Sequence, residues 1–168
     1  MQRIVRQVCG IDVAKDELVV VAGRLYDDMT PELYARKSFP NSDKGFCALL
    51  VWMNKLTEPS IETRFVMEAT GVYHEKLAYF LYGQGQLITV VLPNKISNYF
   101  RTLETKTITD KTASDAIARF GLERKLDNWK PANPVYKKLR QLTRERDQLV
   151  QTRTIAKNQL HAEQSEAE

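Results

Sequence analysis

Cysteine and histidine are scarce in this chain, with two of each in 168 residues. Cys9 and Cys47 stand far apart in apolar surroundings and are expected as reduced core residues. His74 and His161 are isolated, so no Cys/His zinc cluster can be assembled. A metal in this chain has to be held by carboxylates, which selects Mg²⁺ or Mn²⁺. Glycine is also sparse: the seven residues form no clustered phosphate-cradling loop. No apolar run approaches the ~20 residues that span a bilayer. The N-terminal MQRIVRQVCGID has neither a continuous apolar core nor a small-residue cleavage site, so the expected location is the cytoplasm.

What is present is basic charge, and it is unevenly placed. The net charge is only +4. Between Tyr136 and Leu160, however, seven basic residues (Lys137, Lys138, Arg140, Arg144, Arg146, Arg153, Lys157) face two acidic ones (Glu145, Asp147). A basic helical arm beside a near-neutral body suits a polyanionic partner, although a solvated helix face reads the same way.

Along the chain, Ile4–Val13 and Glu17–Tyr26 are rich in Val and Ile and predict a β-hairpin turning at Ala14-Lys15-Asp16. Partial alternation predicts a third strand over Glu32–Phe39. Ser42 can cap a helix over Asp43–Leu56, where Phe46, Leu49, Leu50 and Met53 recur at helical spacing. Then follow a strand at Thr63–Ala69, a helix at Tyr73–Tyr82, a buried strand at Leu87–Leu92, a short helix from Pro93 and a helix from Asp110 to Arg124. This order predicts a mixed α/β sheet, antiparallel first and parallel afterwards, flanked by helices. Ribonuclease-H-like domains have that layout, as do other α/β folds. From Val135 to about Ala162 a long helix places Val135, Leu139, Leu142, Leu149, Ala156 and Leu160 at heptad spacing, with Arg146 and Arg153 interrupting the seam. The expected division is residues 1–130 as the catalytic domain and 131–168 as a coiled-coil helix. The open seam predicts a homo-oligomer. The chain stops at Glu168 without a closing element, as expected of a piece of a longer protein.

Three carboxylates sit at strand or helix ends. Asp12 lies in the apolar strand Cys9-Gly10-Ile11-Asp12-Val13, Glu68 closes Phe65-Val66-Met67-Glu68, and Asp110 starts a helix. A charge within an apolar strand costs several kcal/mol unless it is paired or binds metal. Each acid alone reads as a turn or cap; together with the strand order they point to a divalent-cation site of the kind that cleaves phosphodiesters. Lys95, Arg101 and Lys106, flanking the short helix, and Lys15 beside Asp12 are candidate phosphate contacts, as are Arg140 and Arg144 in the basic arm. Tyr99 and Phe100 are candidates for base stacking, Phe100 the more apt for the core.

The motifs Gly10-Ile11-Asp12-Val13-Ala14-Lys15, Met67-Glu68-Ala69-Thr70-Gly71-Val72-Tyr73, and Thr109-Asp110-Lys111 with Ala116-Ile117-Ala118-Arg119-Phe120-Gly121 resemble the insertion-sequence 110 family of DEDD transposases, which includes pilin-gene invertases. The resemblance implies a RuvC-like domain, a coiled coil and a C-terminal transposase domain bearing a nucleophilic serine, for which this chain offers no candidate. It further implies Mg²⁺-dependent DNA strand exchange, in some members directed by a guide RNA. By resemblance, Asp12, Glu68 and Asp110 are the first three acids. The fourth usually follows three residues after the third, but position 113 is alanine and the next acid is Asp115. A five-residue step on a helix separates side chains by about 140°, against about 60° for three residues. Asp115 therefore joins the site only if Asp110 precedes the regular helix.

Three other readings compete: a free-standing Holliday-junction nuclease, a non-catalytic nucleic-acid-binding or assembly module, and an actin-like ATPase or sugar kinase. The kinase reading needs the glycine-rich phosphate loops that are lacking here.

Overall fold

A computed structural model of the chain describes residues 2–102 and 110–166, with 110–112 and 166 described as backbone only. The chain divides into two compact units, Met1–Lys130 and Pro131–Glu168.

In the first unit, β1 (Ile4–Val13), β2 (Glu17–Tyr26) and β3 (Pro31–Pro40) form an antiparallel meander. The β1–β2 turn is closed by Ala14 N–H donating to the Glu17 carbonyl at 2.9 Å. After α1 (Asp43–Leu56) the chain returns as β4 (Thr63–Glu68), parallel to β1. After α2 (Tyr73–Gly83) it adds β5 (Leu87–Val91), parallel to β4. The strand order is β3-β2-β1-β4-β5. Helices α3 (Pro93–Phe100) and α4 (Asp110–Glu123) complete the unit.

Strand alternation sorts the side chains onto two faces. Cys9, Ile11, Val20, Ala22, Phe65, Met67 and Ile88 pack with Phe46, Leu49 and Met53 of α1 and with Leu77, Ala78 and Leu81 of α2. Val8, Val21 and Leu25 meet Ala118 and Leu122 of α4, while Val66 and Val91 meet Ile96, Phe100, Ala116 and Ile117. Helix α4 lies unusually close to the sheet. A Cβ built on Gly10 would stand 2.6 Å from the Cβ and the backbone nitrogen of Ala118, so only glycine fits there. The direction of α4 follows from a second contact, since Gly121 lies against Val8 and Val66. The helix thus descends from the C-terminal ends of β1 and β4 towards their beginnings. Arg6 closes its lower end, donating to the carbonyls of Leu122 (2.5 Å) and Arg124 (3.2 Å).

Beyond α4 the chain runs along the outer edge of β5. Trp129 N–H donates to the Ile88 carbonyl at 2.8 Å, Thr89 Oγ1 donates to the Asp127 carbonyl at 2.8 Å, and Arg64 bonds both Thr89 and Asn128. Gln7, buried in β1, holds the loop before β4: its amide donates to the carbonyls of Glu58 and Ile61 and accepts from Glu58 N–H.

The second unit contains α5 (Pro134–Glu166), 33 residues of helix. Val135, Leu139, Leu142, Leu149 and Leu160 are exposed along it. Among the described residues no helix is long and apolar enough to cross a membrane.

Two expectations are corrected. Cys47 is exposed, because α1 turns Phe46, Leu49 and Met53 inward and leaves position 47 outside the buried stripe; Cys9 is buried as expected. Tyr99 is no stacking platform: it is buried with Phe100, its ring lies edge-on to Phe120, and its hydroxyl donates to Glu123 Oε2 at 2.8 Å. The third strand is longer than expected by one proline at each end, positions a sheet-edge strand accommodates.

Candidate metal centre

The parallel register pairs Ile11 with Met67, so Asp12 and Glu68 stand side by side one step further on. Neighbouring strands lie ~4.8 Å apart, which sets the spacing of the two backbones. Alternation gives Asp12 the face of Val8 and Gly10, and Glu68 the face of Val66; both are the face covered by α4. Both residues are half-buried. Asp12 is flanked on β2 by Val19, and Glu68 on β5 by Val91. The turn after β4 orients Glu68. Thr70 Oγ1 donates to Glu68 Oε1 at 3.0 Å, and Gly71 takes the left-handed φ of 55° that turns the chain towards α2.

Helix α4 begins at Asp110, above this same end of the sheet. The Asp110 side chain and all of Lys106 lie outside the described residues. Among the described side chains no group of three His, Cys, Asp or Glu residues is assembled. Two half-buried carboxylates on one face at adjacent strand ends are nevertheless the donor type that a hard divalent cation takes, and the residues present fit such an ion.

Asp115 is placed differently. Because Asp110 is helical, the five-residue step to Asp115 is a helical one, and the Asp115 carboxylate turns towards β3, where it pairs with Arg36. Strand β3 is three strands from β4, on the order of 14 Å away at ordinary strand spacing. The sequence admitted Asp115 to the acid set only if Asp110 preceded the regular helix, and it gave no sign of Arg36, 79 positions away. Ser114 was also missed. It is fully buried on the sheet side of α4, one helical turn after position 110. Its signal was available in the stripe Ser114, Ile117, Ala118, Gly121, Leu122, whose spacing is that of a core-facing helix surface.

Of the basic candidates, Lys15 is exposed in the β1–β2 turn three residues after Asp12, and Lys95 is exposed in the first turn of α3, directly after β5. Both therefore lie at the strand ends that carry Asp12 and Glu68. Arg101 is exposed just after α3. Arg140 and Arg144 are exposed on α5 in the second unit.

Residues 9–163 match the family model of the insertion-sequence 110 DEDD transposases, described as "Transposase". The chain belongs to this transposase family. Pilin gene-inverting proteins of Moraxella lacunata and Moraxella bovis are each 29% identical to it, over 149 and 151 residues. Those matches take in 86% of this chain but 44% of each relative, so the chain spans under half the length of the curated relatives it matches. Among solved structures, Thermus thermophilus RuvC, both by itself and in complex with a Holliday junction substrate, superposes with a TM-score of 0.50 at 11% identity, covering 73% of this chain and 99% of RuvC. At that identity the likeness establishes the fold alone: this member of the transposase family has a RuvC-like, ribonuclease-H-like sheet.

Proposed function

We propose that this chain is the metal-binding half of a DNA strand-exchange enzyme, with Asp12, Glu68 and Asp110 holding Mg²⁺ or Mn²⁺. The observation that carries the proposal is the placement of Asp12 and Glu68 at adjacent parallel strand ends, on the face over which α4 starts. A bound divalent cation supplies charge neutralisation at the leaving oxygen of a phosphodiester. The chain's own residues supply the rest. The closely packed α4 fixes the height of position 110, the Thr70 hydroxyl fixes Glu68, and Lys15 and Lys95 offer charge to a phosphate backbone beside the acids. Asp115 is a ligand only on leaving Arg36. Residues 1–130 act as the catalytic domain in this reading and residues 131–168 as a coiled-coil arm that joins copies of the chain. Arg101, Lys106, Arg140 and Arg144 extend the contact with DNA, and a folded guide RNA is the competing polyanion for the same arm. The nucleophile comes from a further domain, so the chain alone binds DNA without cutting it. The setting is the cytoplasm.

Crystals soaked in Mn²⁺ test the centre directly. An anomalous peak within coordination distance of Asp12 and Glu68, lost in Asp12→Asn, is the expected result. No peak, together with equal melting temperatures with and without Mn²⁺, rejects a metal centre. For the arm, Arg140→Ala and Arg144→Ala should each lower the salt slope of DNA binding by about one. An unchanged slope removes α5 from the interface, and stronger competition by structured RNA than by duplex DNA assigns the arm to a guide.

A further inference from the structure

We infer that Ser114 is a positioning residue of the metal centre, its hydroxyl holding the Asp12 carboxylate in the orientation that faces Glu68. The inference rests on the metal-centre reading and concerns a residue outside the acid set.

Two contacts fix the register of α4 against β1. Ala118 lies on Gly10, and Gly121 lies on Val8 and Val66. Moving from Gly10 to Asp12 advances about 6.6 Å along the strand. Moving from Ala118 to Ser114 advances about 6 Å along the helix in the same direction, since helix and strand are antiparallel. Equal steps from one contact bring Ser114 over Asp12. The separation there follows from the Gly10–Ala118 approach, where a Cβ added to Gly10 would stand 2.6 Å from Ala118.

Burial supports the same assignment. Three polar or charged residues are buried among the described ones: Gln7, Thr89 and Ser114. Gln7 holds the loop before β4, and Thr89 holds the segment along β5. Ser114 stands on an otherwise apolar stripe, where alanine would serve packing equally well and has the better helix propensity. A hydroxyl there is explained by a carboxylate opposite it. Among the described side chains of α4, Ser114 is the polar one that is buried.

Free Mn²⁺, read by electron paramagnetic resonance during titration of the 168-residue chain, tests this. Wild type should bind saturably and Asp12→Asn should not. Ser114→Ala should weaken Mn²⁺ binding about tenfold, the usual effect of removing a group that orients a metal ligand, with the metal-free melting temperature little changed. Ser114→Thr, which keeps the hydroxyl, should stay closer to wild type than Ser114→Ala. If Ser114→Ala does not fold, Ser114→Cys keeps the volume, exchanges the hydroxyl for a weak donor, and should show the same loss. Binding by Ser114→Ala within twofold of wild type overturns the role of Ser114 and leaves the metal centre standing. Absence of saturable binding in wild type overturns both.

Discussion

Gly10→Ala is the substitution with the largest expected effect for its size. The added methyl would sit 2.6 Å from Ala118 Cβ, 2.6 Å from its backbone nitrogen and 2.7 Å from its Cα. Carbon atoms rest ~3.5–4.0 Å apart, so α4 has to lift by roughly 1 Å along its whole contact with β1. Overpacking costs ~1–3 kcal/mol, and backbone atoms cannot rotate away, which puts the expected loss at about 2–3 kcal/mol. In urea, with a slope of about 2 kcal/mol per molar, the midpoint should fall by more than ~1 M. Gly121→Ala is the control. Its methyl meets the ends of Val66 and Val8 side chains, at 2.8 and 3.2 Å, and the expected loss is nearer ~1 kcal/mol. Adding Ala118→Gly to Gly10→Ala removes only one of the three close atoms and should restore less than half of the lost stability. Because α4 begins at Asp110, Gly10→Ala should also weaken Mn²⁺ binding. A Gly10→Ala stability within ~0.5 kcal/mol of wild type, or complete rescue by Ala118→Gly, would refute the close-packing argument.

Asp115→Asn should leave Mn²⁺ affinity within about threefold of wild type, because its carboxylate is engaged by Arg36 across β3; a tenfold loss, as expected on removing a group the metal centre depends on, would return it to the ligand set. Gln7→Leu strips three hydrogen bonds from the loop before β4 and should lower stability by about 3 kcal/mol, measured as a urea midpoint. Burial and the hydrogen bond to Glu123 raise the Tyr99 pKa well above its ordinary value near 10. The folded state therefore holds that proton longer than the unfolded chain, so its contribution is complete below about pH 10 and is lost as the pH climbs towards the folded value. Urea midpoints compared between wild type and Tyr99→Phe should converge over that alkaline range, and parallel profiles would contradict the burial argument.

The hairpin, the helices and the parallel crossovers were legible because their signals are local. Val and Ile density marks β1 and β2, Ser42 caps α1 by accepting from Gly45 N–H, and an apolar run interrupted only by Thr89 marks β5. Asp12 and Glu68 were legible because a carboxylate inside an apolar strand needs a reason. The pairing of Asp115 with Arg36 was not, since it depends on how closely α4 approaches the sheet and so on Gly10 and Ala118. Tyr99 looked amphipathic and available until Phe120 and Glu123 closed over it. Ser114 was overlooked because a small polar residue on a helix is unremarkable until the sheet beneath it is known.

The segment laid along β5 has a consequence for handling the protein. A terminal strand offers a free row of amides and carbonyls to which any extended peptide can add, and this chain answers that row itself where Trp129 N–H bonds the Ile88 carbonyl, the side chains of Thr89 and Arg64 tying Asp127 and Asn128 alongside. Ending the polypeptide after α4 would expose that row and invite edge-to-edge aggregation. A soluble core fragment should therefore be cut after Lys130, with the clasp retained.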